Sequence, residues 1–95
     1  MAARTIVLTR RFLRALDALQ ASGGTPKGAS VAATLRALTR AEALPEAADT
    51  EAMIPPVARA WVRRVGGENL WVWYRSAEST VTLLALTSSP PVPIA

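Results

Sequence analysis

The chain of 95 residues has no cysteine and no histidine, and only one lysine (Lys27), one tyrosine (Tyr74) and one phenylalanine (Phe12). Without cysteine there is no disulfide, no thiol nucleophile and no thiolate for a zinc site. Without histidine the chain lacks the side chain whose ordinary pKa suits proton transfer near neutrality. No metal or other cofactor is expected. Acid–base chemistry would fall to carboxylates, Tyr74, Lys27 or an arginine-stabilised leaving group. Long apolar runs are also missing. Nothing approaches the ~20 residues of a membrane span, and the opening M-A-A-R-T-I-V-L-T-R-R holds too short an apolar stretch for a secretory leader. The expectation is a soluble, cytoplasmic protein.

Acids are in the minority. Seven Asp and Glu stand against eleven Lys and Arg, for a net charge of +4. All the cations but Lys27 are arginines, which bind carboxylate and phosphate bidentately and stack on rings. Coding from GC-rich DNA favours the same bias. A hydrophobic share of 51% is ample for one core in one domain.

Arg4 to Leu8 is β-branched and apolar and reads as a first strand. Thr9 then caps a helix in which Phe12, Leu13, Leu16 and Leu19 recur at helical spacing, and Ser22-Gly23-Gly24 ends it. A second helix starts at Thr25-Pro26 or at Ser30. It carries Val31, Leu35 and Leu38 on one face and closes at Leu44-Pro45. Glu46 to Pro56 is acidic and reads as a connecting loop in which Pro55-Pro56 bars pairing. Three strand-like runs follow between Val57 and Thr87, joined by turns at Gly66-Gly67 and at Ser76 to Ser79. Ser88 onward is a Pro-rich tail of the P-x-x-P form. The fold class is therefore α+β in the order β-α-α-β-β-β. Residues 1–87 form a single domain with a small, mostly antiparallel sheet and both helices on one face, and residues 88–95 form the tail.

The three runs hold all three tryptophans, the tyrosine and four arginines. Strand residues alternate sides. Ala58, Ala60 and Val62 form one set, and Arg59, Trp61 and Arg63 the other. In the next run Leu70, Val72 and Tyr74 alternate with Trp71, Trp73 and Arg75. A three-residue hairpin loop brings Arg59, Trp61, Arg63, Trp71, Trp73 and Arg75 to one face, open to solvent. This register is preferred because it separates small apolar residues from large amphipathic ones. A loop of two or four residues instead places Trp61 and Arg63 with Val72 and Tyr74. The preferred face suits bases stacked on indoles and phosphates held by guanidinium groups, or a partner segment anchored on tryptophan and arginine. The plainer use is that Trp71 and Trp73 cover one side of the sheet under arginine stems.

The segments T-R-R-F-L-R-A-L, W-V-R-R-V-G-G, and V-W-Y-R followed by V-T-L-L-A-L, in this order of elements, resemble the RelE/ParE toxin superfamily, the toxins of bacterial type II toxin–antitoxin pairs. The resemblance spans about Thr5 to Thr87. It implies a cognate antitoxin as partner and one of two activities. RelE-like members cut messenger RNA on the ribosome, while ParE-like members inhibit DNA gyrase and are not nucleases. Arg63 or Arg64 matches the family's arginine before the glycine turn, and Arg75 follows the matching Val-Trp-Tyr segment. Leu70 or Trp71 stands where many members carry a further arginine. Thr87-Ser88-Ser89-Pro90-Pro91 replaces the basic and aromatic residues that close many RelE-like chains.

The expected function is translation inhibition by ribosome-associated cleavage or binding of mRNA. In that reading Arg63, Arg75 and Arg59 stabilise developing charge as a metal-independent endoribonuclease would require, and Trp61, Arg64, Trp71, Trp73 and Tyr74 bind nucleic acid or partner. No residue presents itself as general base, since Glu68 and Glu78 lie in turns. A ParE-like gyrase inhibitor is the alternative, and a non-toxic interaction module on the same fold is the third reading.

Overall fold

The computed structural model describes residues 4–21, 25–54 and 58–88. Its elements are β1 (Thr5–Leu8), α1 (Arg10–Ala21), α2 (Thr25–Arg40), β2 (Thr50–Ile54), β3 (Ala58–Arg64), β4 (Trp71–Ala77) and β5 (Thr80–Thr87). The fold is α+β, with both helices on one face of a five-stranded sheet ordered β1-β5-β4-β3-β2. β1 runs parallel to β5, and the other neighbours are antiparallel.

Local chemistry sets the start of α1. The Thr9 hydroxyl accepts the Phe12 amide at 3.3 Å, an N-cap bond. The same hydroxyl lies 2.7 Å from the Leu83 carbonyl and 3.2 Å from that of Leu84. A bulge sits here, because Tyr74 pairs with Leu83 and Trp73 with Ala85, leaving Leu84 over. The shift lets Leu83 and Leu86 both turn toward the helices, where they pack with Phe12, Val31, Leu38, Val72, Tyr74 and Val81. Each such fully buried apolar side chain contributes about 1.5–3 kcal/mol. Leu13, expected in the apolar stripe, is 40% exposed.

Two elements differ from expectation. α2 stops at Arg40, short of Leu44-Pro45, whose peptide is cis. There Arg4 closes the helix end: its amide donates to the Thr39 carbonyl at 3.1 Å, and its guanidinium donates to the carbonyls of Ala41 and Glu42. The acidic stretch expected to be a loop contributes a fifth strand, β2, paired along β3. Ala52 is fully buried opposite Ala60, and both pack in one small cluster with Trp73. Three expectations fall outside the described residues: the Ser22-Gly23-Gly24 stop, the Pro55-Pro56 break and the Pro-rich tail beyond Ser88.

The β3–β4 hairpin has the other parity. The Val65 amide donates to the Leu70 carbonyl at 2.9 Å, and the Glu68 amide to the Val65 carbonyl at 3.1 Å. This leaves Gly66 to Asn69 as a loop of four residues, with Gly67 at a φ of 74° that only glycine adopts freely. Trp61 therefore pairs with Tyr74 and Arg63 with Val72, while Val62 pairs with Trp73 and Arg64 with Trp71. The single arginine–tryptophan face is split. Arg59, Trp61 and Arg63 lie on the helix side, and Trp71, Trp73 and Arg75 lie on the opposite side with Arg64. Ala60 and Val62, expected toward the helices, form a second small core with Ala52, Trp73 and Ala85 on that opposite side.

Candidate functional site

On the helix side the hairpin meets the chain between α2 and β2. Asp49 stands just before β2, and its side chain is fully buried. Arg63 Nε and Nη2 donate to its two carboxylate oxygens at 2.6 and 2.9 Å. The Tyr74 hydroxyl donates a short bond to the same carboxylate, and the Glu46 amide adds another at 2.9 Å. Glu46 Oε1 takes a further bond from Arg63 Nη2 at 2.6 Å. Asp49 returns its own amide to the Glu46 carbonyl at 2.9 Å, closing a tight turn. The arginine fork thus meets a carboxylate bidentately, the strongest common geometry for such a pair.

Burial pushes the Asp49 carboxyl up, but the bonds from Arg63, Tyr74 and the Glu46 amide outweigh it, and the group is held below its ordinary value. The Asp49 bond raises Arg63, against the opposing effect of burial. Tyr74 is pushed far above the usual phenol range, first by burial and then by its bond to the Asp49 carboxylate and that carboxylate's charge. A phenol in this state holds its proton and donates it to one fixed acceptor. It is suited to holding structure and unsuited to acting as a base. A shallow cavity of about 280 Å³ between α2 and the hairpin loop is lined by Ser30, Ala33, Thr34, Ala37, Arg63 and Gly66.

The remaining residues on this side lie toward the β2 edge. Trp61 is partly buried against the main core. Arg59 is 67% exposed, 3.5 Å from Glu51 on the neighbouring strand. Such exposed pairs contribute about 0–1 kcal/mol.

On the opposite side Trp73 is buried and donates from its indole nitrogen to the Thr87 hydroxyl at 2.9 Å. It covers small residues, the plainer use foreseen for it. Trp71 is half-buried, and the Arg64 guanidinium stands 5.7 Å from its ring centre, within range of a cation–π contact. Arg64 also donates to the Glu68 carbonyl at 3.0 Å and to Asn69 Oδ1 at 3.3 Å. Arg75 is exposed and donates to the Arg59 carbonyl across the strand at 3.0 Å.

Of the eight nominated residues, the structure thus brings Arg63 and Tyr74 together in an ion-paired cluster and places Arg64, Trp71 and Arg75 on a solvent-facing surface. Asp49 and Glu46 were not foreseen. The sequence signal for them is slight: two acids three residues apart, ahead of a strand whose neighbour carries W-V-R-R. Among the described residues no group of acidic side chains is placed to hold a metal, and no helix is long and apolar enough to cross a membrane. No protein-family model matches the chain, and no curated protein or solved structure matches it either.

Proposed function

We propose that the protein is a toxin of the RelE/ParE kind that acts by occupying its target and not by cutting RNA. One observation carries the choice between activities. Arg63 and Tyr74 are bound by a buried carboxylate beneath the helices, while Arg64, Trp71 and Arg75 lie exposed or half-exposed on the other side. A metal-free ribonuclease needs accessible cations at the phosphate and a group that aligns or activates the 2′-hydroxyl. Of the residues nominated for that work, Arg63 is held by Asp49, and the exposed Arg59 and Arg75 lie on opposite sides of the sheet and cannot converge on one phosphate. What supports the toxin reading itself is the order of elements, a strand and two helices followed by antiparallel strands, with the arginine-rich hairpin at its glycine turn.

Occupancy of a protein target, as in ParE-like inhibition of DNA gyrase, fits an arginine–tryptophan pair, because those two types anchor many interfaces. A second reading draws on the same pair. An indole beside a guanidinium also stacks unpaired bases, at ~1–3 kcal/mol per base, which would let the surface block mRNA on the ribosome. The test is induction of the chain alone in a bacterial host, following labelled DNA and protein synthesis. An early fall in DNA synthesis, relieved by Arg64→Ala or Trp71→Ala in a folded protein, supports gyrase inhibition. An early fall in protein synthesis over intact mRNA supports the second reading. Cleaved mRNA overturns occupancy, and normal growth with folded protein removes toxicity and leaves an interaction module.

A further inference from the structure

One nitrogen of Arg63 is left without a partner, and what it meets stands apart from the toxin reading. A guanidinium is a fork of N–H donors. Nε gives its proton to Asp49, and Nη2 divides its pair between Asp49 and Glu46. The protons of Nη1 have no acceptor among the described residues. No buried side-chain nitrogen or oxygen among those residues lacks a partner, so Nη1 is reached by solvent. The carboxylates occupy the Nε–Nη2 edge. The remaining end of Arg63 is the part that borders the cavity between α2 and the hairpin loop.

The cavity has an acceptor to set beside this donor. Ser30, Ala33, Thr34 and Ala37 follow helical spacing and line it from one face of α2. Thr34 is 7% exposed. Its hydroxyl donates to the Ser30 carbonyl at 3.1 Å and takes no bond from a described residue, so its lone pairs are open. Ala33 and Ala37 are exposed and give the cavity small apolar walls. A Cβ on Gly66 would meet no atom within 4 Å, so the loop side is open to entry. At about 280 Å³ the space lies just under the usual range for ligand sites, about 300–1,000 Å³, and its occupant is small. Charge decides the type of occupant. Arg63 with Asp49 and Glu46 sums to −1 (one minus two), so a carboxylate or phosphate is repelled here although an arginine is present.

We infer that this cavity binds a small neutral molecule through a carboxamide group. The ligand's carbonyl oxygen accepts from Arg63 Nη1, its N–H group donates to the Thr34 hydroxyl, and its carbon body lies on Ala33 and Ala37. Each polar group left open in the cavity then has one partner, and a few such groups on an apolar lining are what fix a ligand's orientation. Asp49 holds the other edge of the Arg63 fork and so acts as a positioning residue.

The experiment titrates the whole chain with benzamide and, separately, with benzoate, two probes of one shape that differ in charge. Backbone amide and Arg63 guanidinium resonances are followed. Benzamide should give saturable shifts centred on Thr34, Ala37 and Gly66. Benzoate should bind about tenfold more weakly, having lost a donor and gained a repulsion. Glu46→Gln, a change at a half-exposed side chain, should strengthen benzoate binding about threefold and leave benzamide little altered. Thr34→Val keeps the shape, removes the acceptor and should weaken benzamide about fivefold. Ala33→Leu fills the cavity from an exposed helix position and should abolish the shifts while the melting curve stays in place. Four results would overturn the inference: no saturable shift with benzamide, benzoate bound as well as benzamide by the unchanged chain, benzamide binding that survives Ala33→Leu in folded protein, or tighter binding of a capped glutamine tripeptide than of benzamide, which would make the cavity a socket for a protein side chain.

Discussion

Arg63 and Arg64 are neighbours in the chain and belong to different environments. Arg63 lies under the helices, with an 11% exposed side chain and two carboxylates on its fork. Arg64 lies on the other side of the same strand, exposed, over the ring of Trp71 and beside the loop carbonyl of Glu68. The side chains are of one type and the pleat separates them. The comparison teaches that an arginine in this hairpin acquires its role from strand parity, and that parity is decided by one residue more or less in the loop Gly66 to Asn69. A buried charge is tolerable only with its partner in place, whereas a surface charge is held loosely and stays available.

The sharpest way to break the comparison is to remove the partner of the buried member. Asp49→Ala leaves Arg63 without its bidentate acceptor and should cost about 3–5 kcal/mol in urea unfolding. If the loss is below about 1 kcal/mol, Arg63 behaves as a surface residue and the contrast fails. The same pair makes stability depend on acid. The Asp49 carboxyl is held below its ordinary value of 3.8 in the folded chain, so the unfolded chain takes up the proton first as pH falls. The stabilisation is complete above the unfolded value and is lost as pH drops through the lower folded one. Melting temperature followed from neutral pH downward should fall in that acid window, and Asp49→Asn should remove this part of the slope.

Tyr74→Phe tests a smaller contribution. It keeps the buried ring and deletes one donor to Asp49, for an expected loss of about 1–2 kcal/mol together with a raised Asp49 pKa, readable from carboxyl resonances. The smallest effect belongs to the other side of the strand. Arg64→Ala should change stability by no more than about 0.5–1 kcal/mol in thermal melts, while any activity that uses the Trp71 surface should drop. A large destabilisation there would mean that Arg64 is as structural as its neighbour.

The sequence makes some of this plain and hides the rest for definite reasons. Local signals are strong at β1, at the Thr9 cap, in the apolar spacing of α1, and in the three β-rich runs at the end, and those elements are present. β2 is hidden because T-E-A-M-I has little β-propensity of its own. Its place depends on Ala52 fitting against Ala60, a tertiary match. Leu13 looks like stripe and is 40% exposed, while its neighbour Phe12 takes the fully buried place. The hairpin register is hidden because Val65 and Leu70 close the loop with a backbone bond that leaves no mark in composition. The Asp49 cluster is the least legible, since its bonds to Arg63 and Tyr74 join residues separated by 14 and 25 positions. The nominated arginines and aromatics divide between two sides of the sheet, a distribution that needed the structure.

The parallel pairing of β1 with β5 has a consequence for the order in which the molecule can be assembled. The strand made first finds its neighbour only in the strand made last among the described elements. A chain emerging from the ribosome can form α1, α2 and the β2–β3–β4 meander from nearby sequence. Ile6 and Phe12 gain their full surroundings only after Val81 and Leu83 are synthesised. Until then the arginine-rich opening segment stays undocked, and the closing step spans nearly the whole described chain, the kind of distant contact that slows folding.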